Sequence, residues 1–287
     1  MHVMGFRNRL AGTGRHRQTR CMEAVAAPAQ VTSSVIATES VSVVIDGLTI
    51  LDDVSVQASP GRITGLIGPN GAGKTTVFNV ISGFVKPTRG YVKVDDQRVS
   101  RMRPYDLTRL GIARTLQGVG LFASLTNAQN VALAHPAKRG FLSDALAIPW
   151  SDTEQRDALE RARHVLADLG VEAVADLFPA EIPYPLQKRV ALARALFSDP
   201  RVLLLDEPAG GISAEDISDL ARLMRTWTPQ RSVVLVEHHM ELVMEVCDDI
   251  WVLDAGRVIA HGTPDEIKRD PAVIAAYLGD DSGEAIA

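Results

Sequence analysis

Gly68, Pro69, Asn70, Gly71, Ala72, Gly73, Lys74 and Thr75 set two glycines five residues apart ahead of a lysine and a hydroxyl, the spacing of a loop that wraps a phosphate. The glycines let the backbone curl until successive N–H groups point inward at the β-phosphate. The following helix N-terminus adds its positive dipole end, and the Lys74 ammonium reaches the β- and γ-phosphates. The Thr75 hydroxyl is left to ligate magnesium, and Thr76 closes the phosphate-binding set. Such a loop holds a nucleotide without cutting it, so hydrolysis needs further groups that converge on the γ-phosphate.

Three other stretches offer those groups. Asp206 and Glu207 follow the apolar run Val202 to Leu205. Asp206 is placed to hold magnesium, directly or through water, opposite Thr75, because magnesium prefers oxygen ligands and keeps part of its hydration shell. Glu207 points differently and is placed to polarise the attacking water as a general base. Two adjacent carboxylates at a strand end are costly to bury without a cation, which favours a functional over a structural reading. His238 follows the run Ser232 to Val236 and would hydrogen-bond the γ-phosphate and the water, whereas His239 beside it reads as an ordinary surface residue. Gln117 sits where a polar side chain can reach magnesium and the water from the start of a helical insertion.

Each group needs an element to hold it. Ile63 to Ile67 suits a buried strand and Thr75 to Ser82 winds as a helix, so the phosphate loop falls at the strand-to-helix junction its chemistry requires. Val202 to Leu205 and Ser232 to Val236 read as buried parallel strands whose C-terminal tips carry the acids and the histidine. Ala37 to Val56 alternates apolar and polar residues about the turn Asp46-Gly47, which predicts antiparallel strands; Tyr91 to Val94 is another strand and Arg103 to Leu110 a short helix. Ser151 to Leu169, ended by Gly170, and Leu186 to Phe197 make the middle third helical. Ala214 to Thr226 and Met240 to Cys247 are further helices, and Ile250 to Asp254 with Arg257 to Ala260 form a hairpin. The sum is an α/β fold with a parallel core sheet, an antiparallel β flank and an α-helical insertion.

The 287 residues, 46% hydrophobic and 23% charged, suffice for one large domain or a domain with a substantial subdomain. No run approaches the roughly 18 consecutive apolar residues of a bilayer span, so any membrane role comes through a partner. A net charge of −5 argues against nucleic acid as a partner. Arg7, Arg9, Arg15, Arg17 and Arg20 crowd the first residues without an acid among them. Residues 1–36 are read as a disordered basic and alanine-rich extension, with Met22 as an alternative start. Cys21 and Cys247 give neither a disulfide framework nor a metal-site spacing, which fits a reducing compartment.

Taken together, Gly68 to Thr75, Gln117, Leu203-Leu-Leu-Asp-Glu-Pro208 and Glu237-His238 resemble the Walker A, Q-loop, Walker B with catalytic glutamate, and switch histidine of an ABC-transporter ATPase, in matching order from about residue 37. The text between them, notably Ile81-Ser-Gly-Phe84, Gly111-Ile-Ala-Arg-Thr115 and Gly262-Thr-Pro-Asp-Glu-Ile267, is similar to ATP-binding subunits of branched-chain amino acid importers, with urea and amide importers close by. The resemblance implies a P-loop NTPase domain over 37–279, with a helical subdomain at about 118–198 and a flexible tail at 280–287. It implies ATP and Mg2+ as cofactors, Glu207, His238 and Gln117 as catalytic residues, and Thr75, Gln117 and Asp206 around the metal. The implied partners are a second ABC ATPase, two transmembrane permeases and, indirectly, an extracytoplasmic solute-binding protein, with the chain peripheral on the cytoplasmic face of the membrane.

Some positions depart from the family pattern. Where relatives carry a signature close to Leu-Ser-Gly-Gly-Gln, this chain has Ile182-Pro-Tyr-Pro-Leu186. In the family this segment is a helix N-terminus whose hydroxyl and N–H groups contact the γ-phosphate held by the opposite subunit. Proline supplies neither group, although a first helical turn tolerates it. Losing one hydroxyl bond to a charged group costs about 1.5 to 3 kcal/mol, or roughly tenfold to a hundredfold at the site this signature completes. A heterodimer with a partner of normal signature is therefore expected over a homodimer, and a largely non-hydrolytic regulatory subunit is the alternative. Ile45 stands where many relatives stack an aromatic on adenine, and Ser213 where many have Asp or Asn.

Overall fold

The computed structural model describes residues 35–99, 101–115, 118–134, 152–228 and 230–278; the expectations for the basic extension up to residue 34, for Gln117 and for the tail at 280–287 lie outside them. Strands β1 (Ile36–Ile45), β2 (Leu48–Ala58), β4 (Arg89–Val94) and β5 (Gln97–Val99) form an antiparallel sheet in the order β2-β1-β4-β5. The β1–β2 hairpin closes through Asp46 and Gly47, both at positive φ, the backbone that a tight two-residue turn demands. Ile36 pairs with both Ala58 and Val94, so the sheet takes in the last residue of the segment assigned to the extension.

The second sheet is built from β3 (Ile63–Ile67), β6 (Ile112–Arg114), β7 (Val202–Asp206), β8 (Ser232–Val236), β9 (Asp249–Asp254) and β10 (Arg257–Gly262), in the order β10-β9-β3-β8-β7-β6. Strands β9 through β6 run parallel, and β10 adds an antiparallel edge. Side chains alternate across the strands: Leu203, Leu205, Val233 and Leu235 enter one core, while Val202, Leu204, Val234 and Val236 enter another. Both faces are thus dry, as a sheet with unbroken Val/Leu strands requires.

One face carries α1 (Lys74–Ile81), whose Val77, Phe78 and Ile81 join residues of β1, β2 and β4 in a single core. The other face is covered by α3 (Asn127–Ala132), α4 (Asp152–Asp168), α5 (Tyr184–Phe197), α6 (Ala214–Trp227) and α7 (Met240–Val246), with α3, α4 and α5 packed on one another. Helix α2 (Asp106–Arg109) precedes β6; α8 (Pro264–Ile267) and α9 (Pro271–Leu278) follow β10.

Where boundaries differ from the sequence reading, local chemistry explains it. Helix α5 starts at Tyr184, ahead of the predicted Leu186, because a proline in the first turn lacks only an N–H that has no intrahelical acceptor. Helix α2 is shorter than Arg103 to Leu110 because the residue before Pro104 is biased away from helix. Ser213 is the N-cap of α6, its Oγ accepting from Asp216 N and donating to the Asp216 carboxylate.

Candidate active site

Register brings the predicted site residues among the described ones, the phosphate loop, Asp206, Glu207 and His238, to one edge of the parallel sheet. Leu66 of β3 faces Val236 of β8, which faces Asp206 of β7. The next residues along each strand, the phosphate loop, Glu237-His238 and Glu207, therefore emerge together at the C-terminal ends, where ligands bind in such sheets.

The loop itself is held by backbone. Gly68 and Gly73 both have positive φ, and a Cβ on Gly68 would sit 2.0 Å from the carbonyl oxygen of Leu253. Only glycine fits that approach. Ala72 is buried; its N–H donates to Pro69 O at 3.2 Å and its carbonyl accepts from Gly256 N at 3.0 Å, which braces the loop on the β9–β10 hairpin. Lys74, 6% exposed, folds back so that Nζ donates to Gly68 O at 2.7 Å and Pro69 O at 2.9 Å. Its charge is thus fixed inside the curl where the phosphates of a nucleotide would lie. Thr75, exposed, and Thr76, half-buried, stand in the first turn of α1.

Across the sheet, Glu207 adopts φ 50°, the left-handed region that a non-glycine residue avoids. Its N–H donates to Val236 O at 2.9 Å, tying the strained residue to β8. His238 Nε2 lies 2.8 Å from Glu207 Oε1. In the tautomer that carries its proton on Nε2 the ring donates to the carboxylate, so the two catalytic candidates orient each other. Beside Asp206 and Glu207 lies a small cavity of about 20 Å³, also lined by Lys188 and Thr115, space for about one water molecule. His239 serves as the N-cap of α7.

Asp206 is almost fully buried, and its Oδ2 accepts from Arg114 at 2.9 Å while its N–H donates to Thr115 Oγ1 at 3.1 Å. Thr75 and Asp206 offer a hydroxyl and a carboxylate, the sparse oxygen set that suits magnesium, which is usually held by one or two carboxylates plus substrate phosphates. The residues present fit that ion, and among the described residues no cluster of three or more His, Cys, Asp or Glu forms a closed all-protein cage. A magnesium ion held there would neutralise charge on the transferring phosphoryl group.

Two supporting residues were not singled out from sequence. Glu237, 1% exposed, accepts from Ala209 N at 2.6 Å, His238 N at 3.0 Å and His239 N at 3.4 Å, and so locks the β7 and β8 loops together. Lys188 of α5 donates to the carbonyls of Glu207 and Pro208, each at 3.0 Å. Burial pushes the Lys188 ammonium below its ordinary value, against the opposing pull of Glu237 and Glu207. Only the acid-histidine adjacency of Glu237-His238 hinted at the first, and nothing in the sequence marks the second. Glu237→Ala should destabilise the fold by about 2 to 4 kcal/mol, because it strands buried N–H donors; a lower urea midpoint at unchanged slope is the check.

Comparison with known proteins agrees with this geometry. The family model for ABC transporters matches residues 51–210, and one for branched-chain amino acid ATP-binding cassette transporters matches 257–282. The high-affinity branched-chain amino acid transport ATP-binding protein LivG of Escherichia coli K12 is 37% identical over 238 residues, 82% of this chain and 93% of that protein. BraF of Pseudomonas aeruginosa, which carries the same description, is 35% identical over the same shares. Among solved structures, the ADP conformation of an ATP-binding cassette of an ABC transporter superposes with a TM-score of 0.75 at 26% identity, covering 87% of this chain and all of that one. With its phosphate loop, paired acids and histidine on one sheet edge, this chain belongs to the ATP-binding proteins of ABC transporters.

Proposed function

We propose that the chain is the ATP-hydrolysing subunit of an importer for branched-chain amino acids, acting from the cytoplasmic face of the membrane through two permeases. The observation that carries hydrolysis is the 2.8 Å contact between His238 and Glu207 beside the buried Lys74 cradle. Glu207 would take a proton from the attacking water, His238 would hold Glu207 and the γ-phosphate in register, and Lys74 would hold the phosphates. Gln117, from its match to the family pattern alone, is assigned the contact with metal and water. The solute assignment rests on the printed descriptions of LivG and BraF and on the match at 257–282.

A docking place for a permease is also available. No helix among the described residues is long and apolar enough to cross a membrane, yet Phe84, Phe122 and Leu133 are each more than half exposed and line one groove of about 450 Å³. That groove borders β6, the strand that leads to Gln117, so an occupant would press on the path to the nucleotide.

The N-terminus of α5 supports the pairing with a different ATPase. Pro183 is its N-cap and offers no side-chain hydrogen bond, Pro185 has no N–H, and the N–H groups of Leu186 and Gln187 both donate to Pro183 O. A triphosphate on the opposing subunit would find few donors there, so this chain's own Walker A needs a partner with a fuller signature. Reconstitution with the second ATPase, the permeases and the binding protein tests the whole reading. ATP-driven uptake of leucine, isoleucine or valine that is lost on Glu207→Gln supports it; uptake indifferent to that change refutes it and favours a non-hydrolytic regulatory subunit.

A further inference from the structure

An almost fully buried ion pair lies at the site. Arg114 and Asp206 are 9% and 2% exposed at their side chains, with NH2 to Oδ2 at 2.9 Å. The same guanidinium donates through NH1 to Asn79 Oδ1 at 2.9 Å and to Ser82 Oγ at 3.1 Å, both on or just beyond α1. Its centre lies 5.7 Å from the Phe78 ring and 5.5 Å from the Phe84 ring. One side chain of β6 therefore ties together the phosphate-loop helix, the metal-side acid of β7 and the exposed Phe84 of the groove.

A buried carboxylate is costly without a compensating positive charge, which either a side chain or a divalent cation can supply. At an interior dielectric, a positive charge in hydrogen-bonding contact with that carboxylate opposes a dication nearby by several times the thermal energy. A guanidinium is a planar cation, and Arg114 gives Asp206 one bond, to Oδ2, while its other terminal nitrogen is anchored on Asn79 and Ser82. We propose that Arg114 is the resident counter-ion of Asp206, a positioning residue that fixes this carboxylate and keeps free divalent cations off it until triphosphate oxygens complete the coordination. The proposal builds on the nucleotide-hydrolysing reading but is tested without nucleotide, so the two can fail separately.

The test measures Mg2+ alone on the full chain, comparing wild type with Arg114→Met. Thermal unfolding of the wild type should be unmoved by millimolar Mg2+, whereas the variant, starting from a lower midpoint, should be stabilised by several degrees as the cation fills in for the lost charge. Mn2+ binding followed by water-proton relaxation should be about tenfold or more tighter in the variant. Adding Asp206→Asn to the variant should abolish both responses. Arg114→Gln keeps a hydrogen-bond donor toward Asp206 without the charge; it should behave as the Met variant does, and it serves if the Met variant does not fold. Equal responses to Mg2+ and Mn2+ in wild type and in both neutral variants would overturn the proposal and reduce Arg114 to a packing residue.

Discussion

Glu207→Gln, assembled with its partner subunits, should bind ATP as tightly as the wild type and hydrolyse it about 10² to 10⁴ times more slowly. Gln keeps the length of the side chain and can still take a hydrogen bond from His238 through its amide oxygen, so the seat seen at 2.8 Å survives. What disappears is the ability to accept a proton from water. The backbone at φ 50° and its bond to Val236 O do not depend on the carboxylate, which separates chemistry from folding in this variant. Single-turnover hydrolysis with excess assembled transporter gives the number directly. A loss smaller than about tenfold would mean that another group carries the proton.

Lys74→Ala should weaken ATP binding by about 10²-fold. Two or more charge-assisted hydrogen bonds to phosphate oxygens, each worth about 1.5 to 3 kcal/mol, are lost. Part of that is already offset in the free protein, because Nζ must leave Gly68 O and Pro69 O, or share them, when phosphates enter. Alanine also strips those loop carbonyls of their donor, so the fold should be checked by thermal unfolding alongside the titration. Fluorescence titration with a nucleotide analogue decides it: affinity unchanged in a folded Lys74→Ala chain would remove the basis for placing the triphosphate at this loop.

Much of this was legible in the sequence because short-range chemistry enforces it. The strands Ile63 to Ile67 and Ser232 to Val236 appear where the apolar runs put them, since only a sheet buried on both faces tolerates such runs. The phosphate loop was legible for a similar reason: a Cβ at Gly68 collides with Leu253 O, so spacing and glycine content are dictated by backbone contact. By contrast, β6 is three residues long, too short for any periodicity, and its Arg114 looks like an ordinary surface cation until the fold brings Asp206, Asn79 and Ser82 around it. Lys188 stayed hidden likewise, because a helical lysine acquires its role only by reaching carbonyls 19 and 20 residues along the chain.

The left-handed backbone at Glu207 also limits which replacements can report on catalysis. Residues branched at Cβ, such as Val, Ile or Thr, resist that conformation, so they would distort the turn that begins the next loop as well as remove the acid. Asn, Asp and Gly enter it most easily. A saturation library at this codon should therefore sort along two axes, with well-folded inactive clones enriched in small or amide side chains and poorly expressed ones enriched in β-branched side chains, whatever their polarity.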